Sequence, residues 1–336
     1  MPNSNLLVAG TGGITLMDSQ GNDLGYPGPM AIGSVTGGLI GLPPDSLVEL
    51  LSMEHKAGQI GPVKTSLKEG LSIRPGHVIE TAYNQVPSSV NRFLYDWRAD
   101  MRWSASALRD FIVQRKPPGG RWNIVGHSQG ALLIVMASKL FAKTTEFADY
   151  VASVTLVAGP LCGTINAAHA IVAGDLFASA SNAAFQQITQ TWPSIYQMCP
   201  DSSWQDAVVD QGGAAVPAQP LSSILPGFSS DMQGRWATAR QLLKDPFQSM
   251  DGDIQALVIM ARTRATGVNL ELADGKLTSQ SHAFDLGDTL VPWQRTMSWL
   301  GSAASFARTM LGPINEHAYL FNDPSVWGEV QSALRP

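Results

Sequence analysis

Residues 122–136 read WNIVGHSQGALLIVM. A short, mainly apolar run ends at Gly126, Ser128 follows two residues later, Gly130 two later again, and residues 131–136 are apolar throughout. G-x-S-x-G between a strand and a helix marks a sharp turn that leaves the serine in a strained backbone conformation. Only small residues two positions away on either side let the strand and helix approach so closely. The hydroxyl then points out from the carboxyl end of the sheet, and the N–H of the next residue, Gln129, faces the same point. Ser128 is therefore a candidate nucleophile. The competing reading, a polar residue in a structural turn, is weighed against the rest of the chain.

The same rhythm recurs on both sides of this stretch. NLLVAGTGG (5–13), VNRFLYDWR (90–98), VASVTLVAGP (151–160) and IQALVIMARTR (254–264) are short apolar runs, each followed by a turn bearing Gly or Asp. Continuous rather than alternating apolar runs are what strands buried on both faces look like. Helical patterns lie between them. SASALRDFIVQRK (104–116) places Leu108, Phe111 and Ile112 on one face, and GALLIVMASKLFAK (130–143) is apolar nearly all round, as a helix packed under a sheet would be. Alternating strands and helices predict an α/β fold whose central sheet is mainly parallel and flanked by helices.

Two regions break the alternation. Residues 15–75, with GYPGPM and GLPPDSLVELL, read as an irregular insertion carrying one helix. Residues 165–250 hold the helical stretches NAAHAIVAGDLFASASNAAFQQITQ and WATARQLLKD and a Pro/Gly/Ser-rich connector from 212 to 230. Helices inserted between two core strands suit a lid or cap over a pocket. The expected layout is a core of residues 1–164, a helical cap of 165–250 and a second core part of 251–336.

Composition narrows the partners. Of 336 residues, 44% are hydrophobic and 15% charged, against about 25% charged in ordinary soluble domains. The net charge of −5, with no local Lys/Arg cluster, argues against a nucleic-acid partner. The opening MPNSNLLVAGTGG lacks a basic n-region, and no apolar run approaches the roughly 18 residues a spanning helix needs. The expectation is a soluble cytoplasmic protein, export after loss of a leader remaining open. Cys162 and Cys199 are too few for a disulfide framework and lack metal-ligand spacing, although one bridge between them stays open. No metal or organic cofactor is expected.

A serine is a poor nucleophile near neutral pH without an adjacent base. After a strand–serine–helix turn of this kind, the partners follow in the order acid, then histidine. Of the three histidines after Ser128, His169, His282 and His317, only His317, in NEHAYLF, follows every plausible acid. Asp274 sits in an Asp-Gly turn between VNLEL and KLTSQ, which reads as a hairpin. Asp285 and Asp288 in FDLGDTLVPW remain. Asp288 is favoured, because Gly287 before it and TLVP after it make a loop leading into a new helix at Pro292; Asp285 is the alternative. Oxyanion donors are expected from the Gln129 N–H and from the glycine-rich turn after the first strand, at Thr11 and Gly12.

With these residues assembled, the chain resembles the lecithin:cholesterol acyltransferase-like branch of the α/β-hydrolases. LVAGTGGITLMDSQGNDL (7–24) is similar to the family's opening Pro-Gly-x-x-Gly-Ser block, with Ala9 where proline is usual. LYDWRAD (94–100) carries its Tyr-Asp-Trp-Arg signature, and GHSQG its nucleophile turn, with Gln129 where methionine is common. VAGPLCGTINAAHAI (157–171), with Cys162 in place of a common glycine, WPSIYQMCP (192–200), GDTLVPW (287–293) and EHAYLFND (316–323) resemble later blocks, the last two bearing the family's acid and histidine. The resemblance implies an α/β-hydrolase with a lid, the triad Ser128, Asp288 and His317, and an acyl-enzyme mechanism on a lipid-like or other apolar ester. Hydrolysis and acyl transfer both stay open, as does transient contact of the lid with a lipid surface.

Asp96 and Arg98 are expected to pair beside the nucleophile, with Trp97 packed nearby and Leu161 adjacent to the site. An amidase or peptidase with the same triad, or a non-catalytic ligand-binding protein on this fold, are the rival readings.

Overall fold

A computed structural model describes residues 3–24, 44–174, 183–200, 203–216, 221–248, 250, 254–301, 305, 307–310 and 316–334. Its centre is a six-stranded sheet built from β1 (Ser4–Val8), β2 (Asn91–Phe93), β3 (Trp122–His127), β4 (Val151–Val157), β5 (Gln255–Ala261) and β6 (Ala307–Met310). The strand order is β6-β5-β4-β3-β1-β2 and every neighbouring pair is parallel. All five apolar runs of the sequence form strands of this sheet. The sixth, ARTM, had no comparable apolar signal and was not anticipated.

Register explains where the site lies. Val8 pairs with Gly126, Gly126 with Leu156, and Val157 with Ile259. The carboxyl ends of β1, β3, β4 and β5 therefore end on one edge, and the loops leaving them converge there. β3 and β4 are buried along their whole length, which is why their side chains run apolar without alternation.

Helix Met101–Gln114 follows β2, with Asp100 as N-cap accepting the Arg102 N–H at 3.0 Å. It buries Ala105, Leu108 and Ile112, with Phe111 half-buried. Helix Gln129–Ser138 follows β3 and is buried at all ten positions, as its unbroken apolar composition predicts. The Asp-Gly hairpin also forms: Leu270–Ala273 pairs antiparallel with Lys276–Leu277, Asp274 and Gly275 both taking positive φ.

Within 15–75, the strand pair Ile14–Met17 and Arg74–Val78 accompanies the expected helix, which spans Pro44–Leu51. The Gly/Pro-rich residues 25–43 lie outside the described residues. Between β4 and β5 the chain forms helices Ile165–Ala173, Ala183–Thr189, Pro193–Met198 and Ser230–Leu243, among other short elements. Residues 175–182 and 217–220, parts of the expected helical stretch and connector, are outside the described set.

Helix Pro193–Met198 is buried at every position. Its Gln197 amide donates to Asp100 Oδ1 at 2.7 Å, and its Gln197 carbonyl oxygen accepts the Met101 N–H at 2.7 Å. Asp100 also receives Arg102 and, at 2.9 Å, Arg235 from helix Ser230–Leu243. Arg235 in turn donates to the backbone carbonyls of Lys56 and Gln59. Burial alone would raise the Asp100 carboxyl, but hydrogen bonds from Arg102 and Gln197 outweigh it and hold it below the usual range. The segment after β4 is thus tied to the core by a buried charge cluster.

Candidate active site

The turn after β3 delivers the geometry expected of it. Ser128 has φ 55° and ψ −124°, a strained conformation for a residue with a side chain. The flanking glycines are required by contact. A Cβ on Gly126 would lie 2.8 Å from the Ala131 backbone, and one on Gly130 would lie 2.1 Å from the Val8 carbonyl oxygen. No side chain fits at either position without moving β1 or the helix.

His317 reaches Ser128 from the far end of the chain. Its Nε2 lies 2.7 Å from Ser128 Oγ, and its Nδ1 lies 2.8 Å from Asp288 Oδ2. The other Asp288 oxygen accepts the N–H groups of Leu290 and Val291 at 3.0 and 2.7 Å, so the carboxylate is fixed from both sides. Asp288 is fully buried. The loop carrying it is held by neighbours: Thr289 sits at φ 82°, its N–H donates to Thr266 Oγ1 at 3.1 Å, and the Asn166 amide donates to the Thr289 and Leu290 carbonyls. The choice between the two aspartates resolves geometrically. Asp285 instead accepts the backbone N–H groups of Gln294 and Arg295 at the start of helix Trp293–Leu300. His282 pairs with Glu271 and His169 lies on helix Ile165–Ala173.

The turn after β1 faces the same hydroxyl. A Cβ on Gly10 would fall 2.6 Å from Ser128 Cβ and 3.3 Å from its Oγ, so the Gly10 backbone lies against the serine. Gln129, the first residue of its helix, has an N–H without an intrahelical partner. Its side chain receives the Thr11 hydroxyl at 2.7 Å and donates to the Trp97 carbonyl at 3.1 Å, which fastens Thr11 over the start of that helix. Gly12 takes φ 66°, and Gly13 N–H closes the turn on the Gly10 carbonyl at 2.9 Å.

Asp96 and Arg98 form the expected pair, at 2.7 Å and fully buried, with Arg98 also donating to the Leu51 carbonyl. Trp97 stacks edge-on against Trp192 at 5.1 Å and donates to the Ile14 carbonyl, while Tyr95 donates to the Ala9 carbonyl at 2.7 Å. This tetrapeptide braces the loops after β1 and β2. Leu161 is buried, and its carbonyl accepts from Arg240; its neighbour Pro160, rather than Leu161, lines the cavity at Ser128. Both cysteines are buried, and no disulfide joins them. Burial pushes the Cys199 thiol up.

That cavity encloses about 40 Å³ and is bordered by Thr11, Pro160, Ile195, Met198, Leu290 and Val291 beside Ser128 and His317. Its exposed lining is almost wholly apolar. Among the described residues no cluster of three or more His, Cys, Asp or Glu is arranged to hold a metal, and no helix is long and apolar enough to cross a membrane.

The family model described as lecithin:cholesterol acyltransferase matches residues 84–286. The chain belongs to that family. The match takes in the Tyr-Asp-Trp-Arg signature and the GHSQG turn; the Gly10 turn precedes it, and Asp288 and His317 follow it. Among solved structures, the Tle4–Tli4 complex contains a chain that superposes with a TM-score of 0.64 over 98% of both chains, at 13% identity. That likeness is one of fold, and this lecithin:cholesterol acyltransferase family member has an α/β-hydrolase fold. Phospholipase PlaB from Legionella pneumophila aligns over 52% of this chain and 29% of its own at 13% identity, with a TM-score of 0.29, too low to imply a shared architecture. No curated protein matches.

Two buried residues beside the candidate site of this family member escaped sequence reasoning. Tyr83 and His127 are buried, Tyr83 Oη lying 2.8 Å from His127 Nδ1 and His127 Nε2 3.0 Å from the His317 carbonyl oxygen. His127 stands inside GHSQG and was legible as a neighbour of Ser128. Tyr83, in ETAYNQ, carries no sequence signal at all.

Proposed function

We propose that the protein is a serine ester hydrolase or acyltransferase working through an acyl-enzyme at Ser128. The observation that carries this reading is the unbroken chain of short contacts, Ser128 Oγ to His317 Nε2 at 2.7 Å and His317 Nδ1 to Asp288 at 2.8 Å, on a strained serine. As Ser128 Oγ attacks the ester carbonyl, its proton passes to His317 Nε2. Asp288 holds the ring in the tautomer that leaves Nε2 free to accept, and stabilises the imidazolium without taking the proton. The carbonyl oxygen becomes an oxyanion beside the N–H groups of Gln129 and of the Thr11–Gly12 turn, each such donor contributing about 2.7–4 kcal/mol. Collapse expels the alcohol, which takes the proton from His317. Water or an acceptor alcohol then attacks the acyl-enzyme by the same route in reverse.

The apolar lining favours an apolar or lipid-like ester over a charged substrate. Family membership supports lipid-directed acyl chemistry in general. A cavity of about 40 Å³ is far below the roughly 300 Å³ of small ligand sites, so an acyl chain needs the wall formed by Ile195 and Met198 to give way. Helices Ile165–Ala173 and Pro193–Met198 serve as the cap in this reading.

A fluorophosphonate probe followed by peptide mapping tests the chemistry, and nitrophenyl esters of increasing chain length test the substrate class. The expected result is a single adduct on Ser128 and a turnover preference for the longer apolar acyl chains. Absence of labelling on Ser128 sinks the proposal.

A further inference from the structure

Behind the triad, a relay of three hydrogen bonds joins the turn after β1 to the loop bearing His317. The Gly10 N–H donates to Tyr83 Oη at 3.0 Å, Tyr83 Oη lies 2.8 Å from His127 Nδ1, and His127 Nε2 lies 3.0 Å from the His317 carbonyl oxygen. The chemistry of the atoms fixes the direction of each bond. A carbonyl oxygen only accepts, so His127 Nε2 carries the proton. Burial, reinforced by the nearby His317, holds His127 well below the usual imidazole range and keeps it neutral. Nδ1 is then bare and accepts the Tyr83 O–H, which leaves the tyrosine oxygen to accept from Gly10. Tyr83 and His127 are both almost completely buried, and Phe321 packs edge-on against them at 5.2 and 5.4 Å.

Each end of the relay restrains a backbone unit that the acyl-transfer reading depends on. At Gly10 the N–H is held by Tyr83 and the carbonyl by the Gly13 N–H. The Gly10 N–H belongs to the Ala9–Gly10 peptide, whose carbonyl accepts the Tyr95 hydroxyl, so that unit is held on both sides; the Gly13 bond fixes the next carbonyl, and a trans peptide places the Thr11 N–H opposite it. At the other end the His317 N–H donates to the Asp288 carbonyl at 3.0 Å, and the His317 carbonyl receives His127. The imidazole that touches Ser128 thus hangs from a backbone fixed on both sides.

We infer that Tyr83 and His127 are positioning residues that set the oxyanion turn and the His317 backbone relative to one another. The inference rests on Ser128 and His317 acting as proposed above. Tyr83→Phe removes one oxygen and keeps the ring packing. On a nitrophenyl ester its kcat is expected to fall 10- to 100-fold with KM within twofold of wild type, and its rate of fluorophosphonate labelling to fall in proportion. His127→Gln keeps a donor within reach of the His317 carbonyl and loses the acceptor for Tyr83, so its kcat should fall by more than twofold and by no more than that of Tyr83→Phe. A folded Tyr83→Phe protein, by near-UV circular dichroism, with kcat within twofold of wild type overturns the inference. If Tyr83→Phe does not fold, His127→Gln decides by the same criterion. Ser128→Ala, run alongside, separates the two levels: turnover surviving in it removes the underlying reading, whereas an inactive Ser128→Ala with a fully active Tyr83→Phe removes only the relay.

Discussion

Two buried polar clusters in this molecule use similar groups to opposite ends. Around Asp100, a carboxylate, two arginines and an amide close on one another and on backbone carbonyls of 56–60. Around Asp288, a carboxylate, an imidazole and a hydroxyl form a line rather than a ring, and the line ends on Ser128 Oγ at the wall of a cavity. A closed network has no valence left for a substrate and fastens one part of the chain to another. An open-ended one leaves an oxygen whose proton already has a destination. Burial and charge alone do not separate a fastener from a reactive site; the termination of the network does.

The comparison breaks most visibly at the open end. Ser128→Ala or His317→Ala should lower kcat by about a millionfold, and Asp288→Asn by about ten-thousandfold, in each case with a native near-UV spectrum; steady-state kinetics on an activated ester reads both. At the closed cluster the loss should fall on folding instead. Asp100→Ala takes a buried acceptor from Arg102, Gln197 and Arg235, leaves Arg235 its ion pair with Asp231 and its backbone carbonyls, and should cost about 1–3 kcal/mol in urea unfolding, with kcat per folded molecule unchanged.

Acid sharpens the contrast further. Burial, with Arg235 nearby, lowers His55 to about 4, and burial lowers His169 to about 4. The unfolded chain takes up these protons near pH 6.5 and the folded chain only near pH 4, so stability is full above about pH 6.5 and declines as pH falls toward 4. The slope is at most about 1.4 kcal/mol per pH unit per histidine, and less at His55, which keeps partial access to solvent. Urea midpoints at pH 7 and pH 5 measure it, and replacing His169 with Gln should flatten it. The smallest effect is expected at Asp285→Asn. A helix cap is weakened there by about 1 kcal/mol or less, and esterase activity should stay at the wild-type level.

Much of the candidate site was legible because its members are tied to sequence patterns with local physical causes. Ser128 is announced by the two glycines that let β3 and the next helix meet, and His317 by being the last histidine in a chain whose partners must follow in order. Asp288 needed a choice between two aspartates three residues apart, made from the loop-forming Gly287 and the helix start at Pro292. β6 was missed because it is a four-residue edge strand that carries no apolar run, with Arg308 and Thr309 exposed. Tyr83 was invisible for a deeper reason. Its partners at Gly10, His127 and Phe321 are set by how distant loops converge, and no spacing along the chain records that convergence. The fastening of Gln197 and Arg235 to Asp100 was hidden in the same way, since each residue alone reads as an ordinary surface charge or amide.

The backbone at Ser128, φ 55° and ψ −124°, also bears on how this protein would change under selection. A conformation of that kind carries about 1–3 kcal/mol of strain for a residue with a β-carbon, and glycine there would release much of it. Ser128→Gly should therefore melt higher than wild type while turning over nothing. Directed evolution scored on heat resistance alone would enrich that dead variant, and laboratory drift without a substrate would favour it as well. If Ser128 is the nucleophile proposed above, it survives at position 128 only where its product is rewarded, so a screen for a sturdier form of this protein has to count turnover alongside survival.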